Sequence, residues 1–553
     1  MDEKIEQIEN VENKKSKIKK ESFMQSVAAL MISQVVIKLI GLLYKLYLTN
    51  KEGFGDAGNA INSGAFSIYA LLLTISSIGV PNAVSRLVSE RISVEDYKGA
   101  HRIFKVALGL FACIGFIGTL LMFFGAHAIA NSWLQIPESE LTIVNLSPAI
   151  FFVSLICVFR GYFNGRSNMK VTANSQTMEQ IFKTVFTIVI VEIIAGITTN
   201  NTVMMAAGAN VATTLSTIGS FIYLFRYYKI RKQEINSEMT KTKNHQYKTA
   251  KQIIKMLLAM AIPMTLSAVL TNLNRNIDAV TVVRSLKNFL SPEMATQQYG
   301  ILSGKVDTLT NLPLSFNIAF ATALVPTISA AKAKNDMKTA EKRTSFSLMV
   351  TMIIGLPCMV GMIVLAQPIL NLLFPNASSG AFILQVSSLA IIFTVLEQTV
   401  NGALQGLGKV MIPTIALAFG VLTKLILNLV LVPIPSIGAA GAAFATAACH
   451  AIAFTIGFRV LRKHMNLNIK FTNFLIKPVI ACGAMALVSY ATYIILSGII
   501  AEKLATIIAI VIAMVVYALF IVILKIFTKE EILMIPYGTK LIKILEKIGI
   551  YEN

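Results

Sequence analysis

Residues 34–47 read QVVIKLIGLLYKLY, an apolar helical pattern that carries two cations, Lys38 and Lys45. Seven residues put them on nearly the same helix face, two turns apart. No acidic residue stands within four positions of either one, so neither has a partner on its own helix. A second polar stretch, TNLNRNIDAVTVVR at 271–284, holds Asn272, Asn274, Arg275, Asn276 and Asp278. Close behind it, GKVDTLTN at 304–311 holds Lys305 and Asp307. Cations flanked by amides and hydroxyls in apolar surroundings bind an anion, because few other charges or waters compete there. Lys38, Lys45, Arg275, Lys305, Asn272 and Asn274 are therefore the candidate anion-binding residues. A structural alternative is open, in which Lys38 answers Asp278 or Asp307 across the helices.

Four further groups fit either ion coupling or internal pairing. Lys183 follows Glu179 by four residues, the spacing of a helical ion pair. Lys424 stands alone on its helix, and Glu192 and Glu397 are single carboxylates within apolar runs. Lys477 lies near a helix end, where its long stem can carry the ammonium to the interface. The five cysteines and five histidines are scattered without metal-ligand spacing. No nucleotide loop, nucleophile motif or metal cluster is present, so neither an enzyme nor a cofactor is expected.

The elements that must hold these groups are membrane helices. Of 553 residues, 55% are hydrophobic and only 14% are charged, more apolar surface than a soluble chain can cover. Runs of roughly 20 apolar residues recur, each long enough to cross a bilayer. The expected fold is all-α and polytopic, with fourteen transmembrane helices. They fall near 25–49, 62–85, 103–126, 141–163, 174–196, 203–225, 252–283, 300–330, 345–366, 380–402, 410–432, 437–458, 473–498 and 504–527. The first 22 residues lack the apolar core and cleavage site of a signal peptide, so the first apolar run is expected to stay in the membrane.

Loop charge supports that segmentation. With a cytoplasmic N-terminus, cytoplasmic segments carry 37 basic residues and the opposite side carries 4, namely Lys51, Arg284, Lys287 and Lys503. Such asymmetry places both termini in the cytoplasm. It also explains the net charge of +21 without a nucleic-acid partner.

The chain repeats internally. GYFNG at 161–165 precedes Lys183 as GALQG at 402–406 precedes Lys424, with the same spacing. Val-Pro pairs at 80–81 and 325–326 each end a helix that enters a basic loop. Two six-helix lobes of like orientation follow, related by a pseudo-twofold along the membrane normal. The expected organisation is a basic N-terminal segment (1–24), an N-lobe (25–225), a basic linker (226–251), a C-lobe (252–458), two extra helices (459–527) and a cytoplasmic amphipathic tail (528–553).

KLIGLLYKLYL, SIGVPNAVSRLVSE and FRGYFNGRSNM resemble the multidrug/oligosaccharidyl-lipid/polysaccharide exporter superfamily. Within it they are similar to the SpoVB-like polysaccharide-biosynthesis branch, which includes MurJ-type lipid II flippases. The resemblance covers about residues 23–530. It implies a V-shaped transporter in a bacterial plasma membrane, with a cationic central cavity open to each side in turn. The implied cargo is an undecaprenyl-pyrophosphate-linked cell-wall precursor, lipid II first, moved to the outer leaflet. The lipid bilayer and cell-wall synthesis enzymes are the implied partners, and membrane potential or an ion gradient the drive. The two extra helices would form a groove for the lipid tail. The family's cavity arginines correspond here to Lys38 and Lys45 on helix 1 and to Arg275 and Lys305 on helices 7 and 8. Lysine binds pyrophosphate as a point charge rather than bidentately. Three other readings follow from the same residues: an exporter of a capsule, teichoic or spore-cortex precursor, a MATE-type cation or drug antiporter, and a membrane scaffold for wall synthesis.

Overall fold

The computed structural model describes residues 36–533 except 78, 167, 243–247, 334 and 468–469, together with residue 542. The N-terminal segment 1–24, the start of the first expected helix and nearly all of the tail beyond 533 lie outside the described residues. Among those described every regular element is helical. The chain forms two compact units. The first comprises the described residues up to Leu48 together with Ile61–Asn276. The second comprises Thr49–Ala60 and the described residues from Ile277 onward. The boundaries between the units, at 48/49, 60/61 and 276/277, fall inside three helices.

Along the chain the first unit draws on α1 (36–50), α2 (Gly55–Ser77), α3 (Gly79–Ser93), α4 (Tyr97–Phe124) and the short α5 (Ala126–Ala128). These are followed by α6 (Glu140–Gly165), α7 (Met169–Thr198), α8 (Thr202–Ile230), α9 (Lys232–Thr240) and the first part of α10 (Ala250–Leu286). The second unit continues from α10 through α11 (Pro292–Gly300), a π-helical stretch Ile301–Val306, α12 (Asp307–Ala333), α13 (Met337–Val364) and α14 (Ala366–Leu373). It closes with α15 (Ala381–Gly406), α16 (Met411–Leu431), α17 (Ala439–His464), α18 (Lys477–Ser497), α19 (Glu502–Ile523) and α20 (Lys529–Leu533).

Ten of these helical segments are long and apolar enough to cross a membrane. The four other expected crossings coincide with α1, α8, α10 and α12. These are helical too, and three of them hold most of the candidate polar residues that dilute their apolar character. Large apolar side chains stand fully outward, among them Phe124, Ile197, Leu487 and Ile499, each about three-quarters exposed. In water such a surface would drive aggregation; in lipid it is the required exterior.

The internal repeat is visible in the packing. In the first unit α3 and α4 both pack on α6, α6 packs on α8, and α7 packs on α8. In the second unit α12 and α13 pack on α15, α15 on α17, and α16 on α17. The glycine pairs make the equivalent seams. A Cβ at Gly161 would stand 2.8 Å from the Pro81 carbonyl, and one at Gly165 2.6 Å from that of Ser85. Likewise a Cβ at Gly402 would meet the Ala321 carbonyl at 2.5 Å, and one at Gly406 that of Val325 at 2.9 Å. Only glycine permits such close backbone approach, the usual role of small residues between membrane helices. The contacts also correct the register. Ser85 stands where Val325 does, so the two Val-Pro pairs are not equivalent and differ by more than one helical turn.

The basic linker is partly built into the first unit. The helix α9 buries Ile235, and Glu238 pairs with Arg166 at the end of α6. The hydroxyl of Thr242 accepts from the backbone N–H of Lys98 at 3.2 Å. On the exposed face of the same helix, the hydrogen bond from Arg231 holds Glu234 below the usual carboxylate range.

Candidate functional site

Within the first unit, the apolar stretches of α1 and α10 present Lys38 and Arg275. Lys38 and Arg275 are both exposed, and the charge of Arg275 acts on Lys38. Two cations close enough to act on one another repel, and an anion within reach of both turns repulsion into two attractions. The lysine face of α1 then runs inward, since Lys45, two turns on, is buried.

Two asparagines of α10 flank Arg275 and fasten the helix to α2. Asn272 donates to the Thr74 hydroxyl at 2.5 Å and Asn276 donates to the Ser67 carbonyl at 3.1 Å, both on α2. The i,i+4 spacing puts both amides on one face, so α10 is zipped to α2 there, with the exposed Arg275 between them in sequence. Asn272 thus spends its amide on helix packing rather than on a free ligand surface. Asn274 is buried.

Lys305 has a different environment from the one expected of a cavity cation. It lies in the π-helical stretch and its side chain is fully buried in the second unit. Its ammonium is 2.9 Å from an oxygen of Asp56 and donates to the carbonyls of Ala377 at 2.5 Å and Ser379 at 2.8 Å. Three donors meet three acceptors, which saturates a lysine. The segment 49–60 reaches this position because glycine opens the way: a Cβ at Gly300 would run into the Asp56 carbonyl, and one at Gly304 into Asn59. Asn50 reinforces the tie by donating to the Leu373 carbonyl at 2.8 Å. Lys305 is therefore a structural tie here.

The remaining charged residues pair across helices. Lys424 of α16 meets Asp278 of α10 at 2.6 Å, and Asn428 donates to the same carboxylate at 2.8 Å and to Thr281 at 2.9 Å. Asp278 is thus answered by Lys424, not held for Lys38. Glu179 pairs with Arg160 at 2.7 Å rather than with Lys183 one turn away. Lys183 instead lies over the rings of Tyr44 and Phe66 at 5.2 and 5.1 Å, a cation–π arrangement favoured where water is excluded. Glu192 accepts from the Tyr47 hydroxyl at 2.6 Å. Asp307 opens α12, and its carbonyl accepts from Asn311. Glu397 is buried on α15 and lies 2.6 Å from His450 of α17, with Asn401 donating to its other oxygen at 3.2 Å.

Arg160, Asp56, Asn428 and His450 were invisible as site residues in the sequence. Arg160 falls near the end of an apolar run, and His450 is one of five scattered histidines. Their only sequence signal is a polar residue in or beside an apolar run, too weak to name a partner 19 to 249 residues away.

Residues 23–332 match the polysaccharide biosynthesis protein family, and residues 304–430 match MatE. Stage V sporulation protein B of Bacillus subtilis (strain 168) is 24% identical over 537 residues, covering 95% of this chain and 99% of that protein. Lipid II flippase MurJ of the same strain is 25% identical over 455 residues, covering 80% of this chain and 82% of that protein. A solved structure of lipid II flippase MurJ in an inward closed conformation shares the fold. It has a TM-score of 0.67 and 17% identity, covering 89% of this chain and 97% of that one.

Proposed function

Because the chain belongs to the polysaccharide biosynthesis protein family, within the multidrug/oligosaccharidyl-lipid/polysaccharide exporter superfamily, we propose that it is a flippase for a polyprenyl-pyrophosphate-linked saccharide. Lipid II is the first candidate cargo, a reading supported by the similarity to a lipid II flippase along four-fifths of the chain. Another lipid-linked glycan precursor is the alternative, supported by the similarity to a sporulation protein along nearly its whole length.

The observation that carries this reading is the exposed cation pair Lys38 and Arg275. A pyrophosphate and its sugars must pass roughly 30 Å of hydrocarbon, and the pair offers them positive charge where lipid offers none. The polyprenyl tail needs no such help and stays in lipid. Alternating exposure of the pair to the two membrane faces would complete the transfer, with the N- and C-termini both cytoplasmic. Inside-negative potential favours outward movement of an anion by about 2.3 kcal/mol per charge per 100 mV.

Reconstituted protein carrying Lys38→Gln or Arg275→Gln, given a fluorescent polyprenyl-pyrophosphate oligosaccharide, tests the site. Each change should slow headgroup translocation about tenfold or more, since a hydrogen bond to a charged group is worth ~1.5–3 kcal/mol, with insertion and elution unchanged. Wild-type rates in both variants would reject the site. Depleting the protein in cells and identifying the precursor trapped inside would separate lipid II from other glycans.

A further inference from the structure

Glu397 and His450 are not used by the anion site, yet they meet in the second unit, Glu397 buried and His450 with its side chain 16% exposed. Taking 1.5 Å per residue, Glu397 lies about 24 Å from the start of α15 and about 14 Å from its end. His450 lies about 16 Å from the start of α17 and about 21 Å from its end. Both therefore sit in the middle of helices long enough to cross the membrane. An imidazole nitrogen 2.6 Å from a carboxylate oxygen can hold a proton between them at this depth.

We propose that Glu397 and His450 form a proton-binding site whose occupancy is coupled to translocation. The coupling rests on the transport function proposed above; the proton site itself does not. Loaded, the pair is carboxylate and imidazolium, with no net charge. Unloaded, the imidazole is neutral and one negative charge remains, the proton having left to water. A buried unbalanced charge is expensive in the membrane. The unloaded pair therefore favours a conformation in which water reaches it, and the loaded pair tolerates occlusion.

The surrounding charges fit this bistability. Lys424 and Asp278 neutralise one another, so they leave the charge of the Glu397 pair to its own proton. Elsewhere on the packed elements, Lys305 is held by Asp56 and Lys332 of α12 donates to the Leu407 carbonyl at 2.8 Å. Asp307 stands at the opposite end of α12, and the charges of α13 and the other charges of α17 lie at 338–343 and 459–464, toward helix ends. The groups that α12 and α13 set against the neighbouring face of α15 are uncharged: Asn317 donates to Gln398 at 3.0 Å and Thr351 donates to Asn317 at 3.0 Å.

Two measurements test the proposal on purified full-length protein, Glu397→Gln and His450→Gln. The pH-difference infrared spectrum should contain an imidazole component from the pair that is lost in both variants. In proteoliposomes, the translocation rate of the fluorescent pyrophosphate probe should change severalfold with pH in the wild type and stay flat in the variants. Difference spectra of both variants that superimpose on the wild type, or pH profiles that do so, would overturn it. The two variants approach the pair from opposite sides, so misfolding of one leaves the other to decide. If the wild type moves no probe at any pH, the transport function falls, while the spectrum still decides the proton site.

Discussion

Replacing Lys305 by Met separates a structural tie from a substrate contact. The ammonium is fully buried and its three donors are all used, one of them on the carboxylate of Asp56. Each charge-assisted hydrogen bond is worth about 1.5–3 kcal/mol. Removing one member of a buried pair costs about 3–5 kcal/mol, because the other charge is left without its partner. For Lys305→Met that stranded group is the Asp56 carboxylate, whose side chain is 12% exposed. The matching Asp56→Asn change leaves the ammonium with two carbonyls and should cost less. The double variant, with no buried charge, should recover to within ~1–2 kcal/mol of wild type. Thermal unfolding in detergent, followed by loss of monodisperse protein, reads all three. A fall on the order of 10 °C is expected for Lys305→Met at 2–4 °C per kcal/mol. An unchanged melting temperature combined with weakened binding of the pyrophosphate probe would refute the tie and return Lys305 to the anion site.

Three other outcomes follow from the packing. Gly402→Val would push a side chain into the Ala321 carbonyl, 2.5 Å from the new Cβ. The overpacking should cost about 1–3 kcal/mol or more, read as lost thermal stability, with Gly109→Val as the control because nothing lies within 4 Å there. Asp278→Leu should destabilise by stranding the nearly buried Lys424 ammonium. The Asp278→Leu, Lys424→Leu pair should restore stability, since apolar replacement of both partners is tolerated; a double variant no better than the single would contradict the pairing. Ile235→Asp should detach α9 from the first unit and speed proteolysis around 232–242, with the melting temperature of the rest little changed. Protease resistance equal to wild type would show that the helix is held by something other than Ile235.

The sequence by itself determined the membrane class, the positions of the helices and their two-fold repetition. These are one-dimensional properties: hydropathy sums over a window, and Gly-x-x-x-Gly marks a close seam wherever its helix packs. It also named Lys38 and Arg275, because an ionisable group in an apolar run is anomalous in any register. Tertiary structure decided which charges are spoken for. The i,i+4 rule offered Glu179 to Lys183, yet Arg160 from a neighbouring helix takes the carboxylate and aromatic rings take the lysine. Lys305 and Arg275 looked alike in sequence, but one is enclosed by Asp56 and two carbonyls while the other stands exposed. The two Val-Pro pairs matched as letters, yet the seams align Ser85 with Val325. Partnership depends on the rotation and register of one helix against another. Those are fixed by packing along the whole interface, so no local pattern around a single charged residue encodes them.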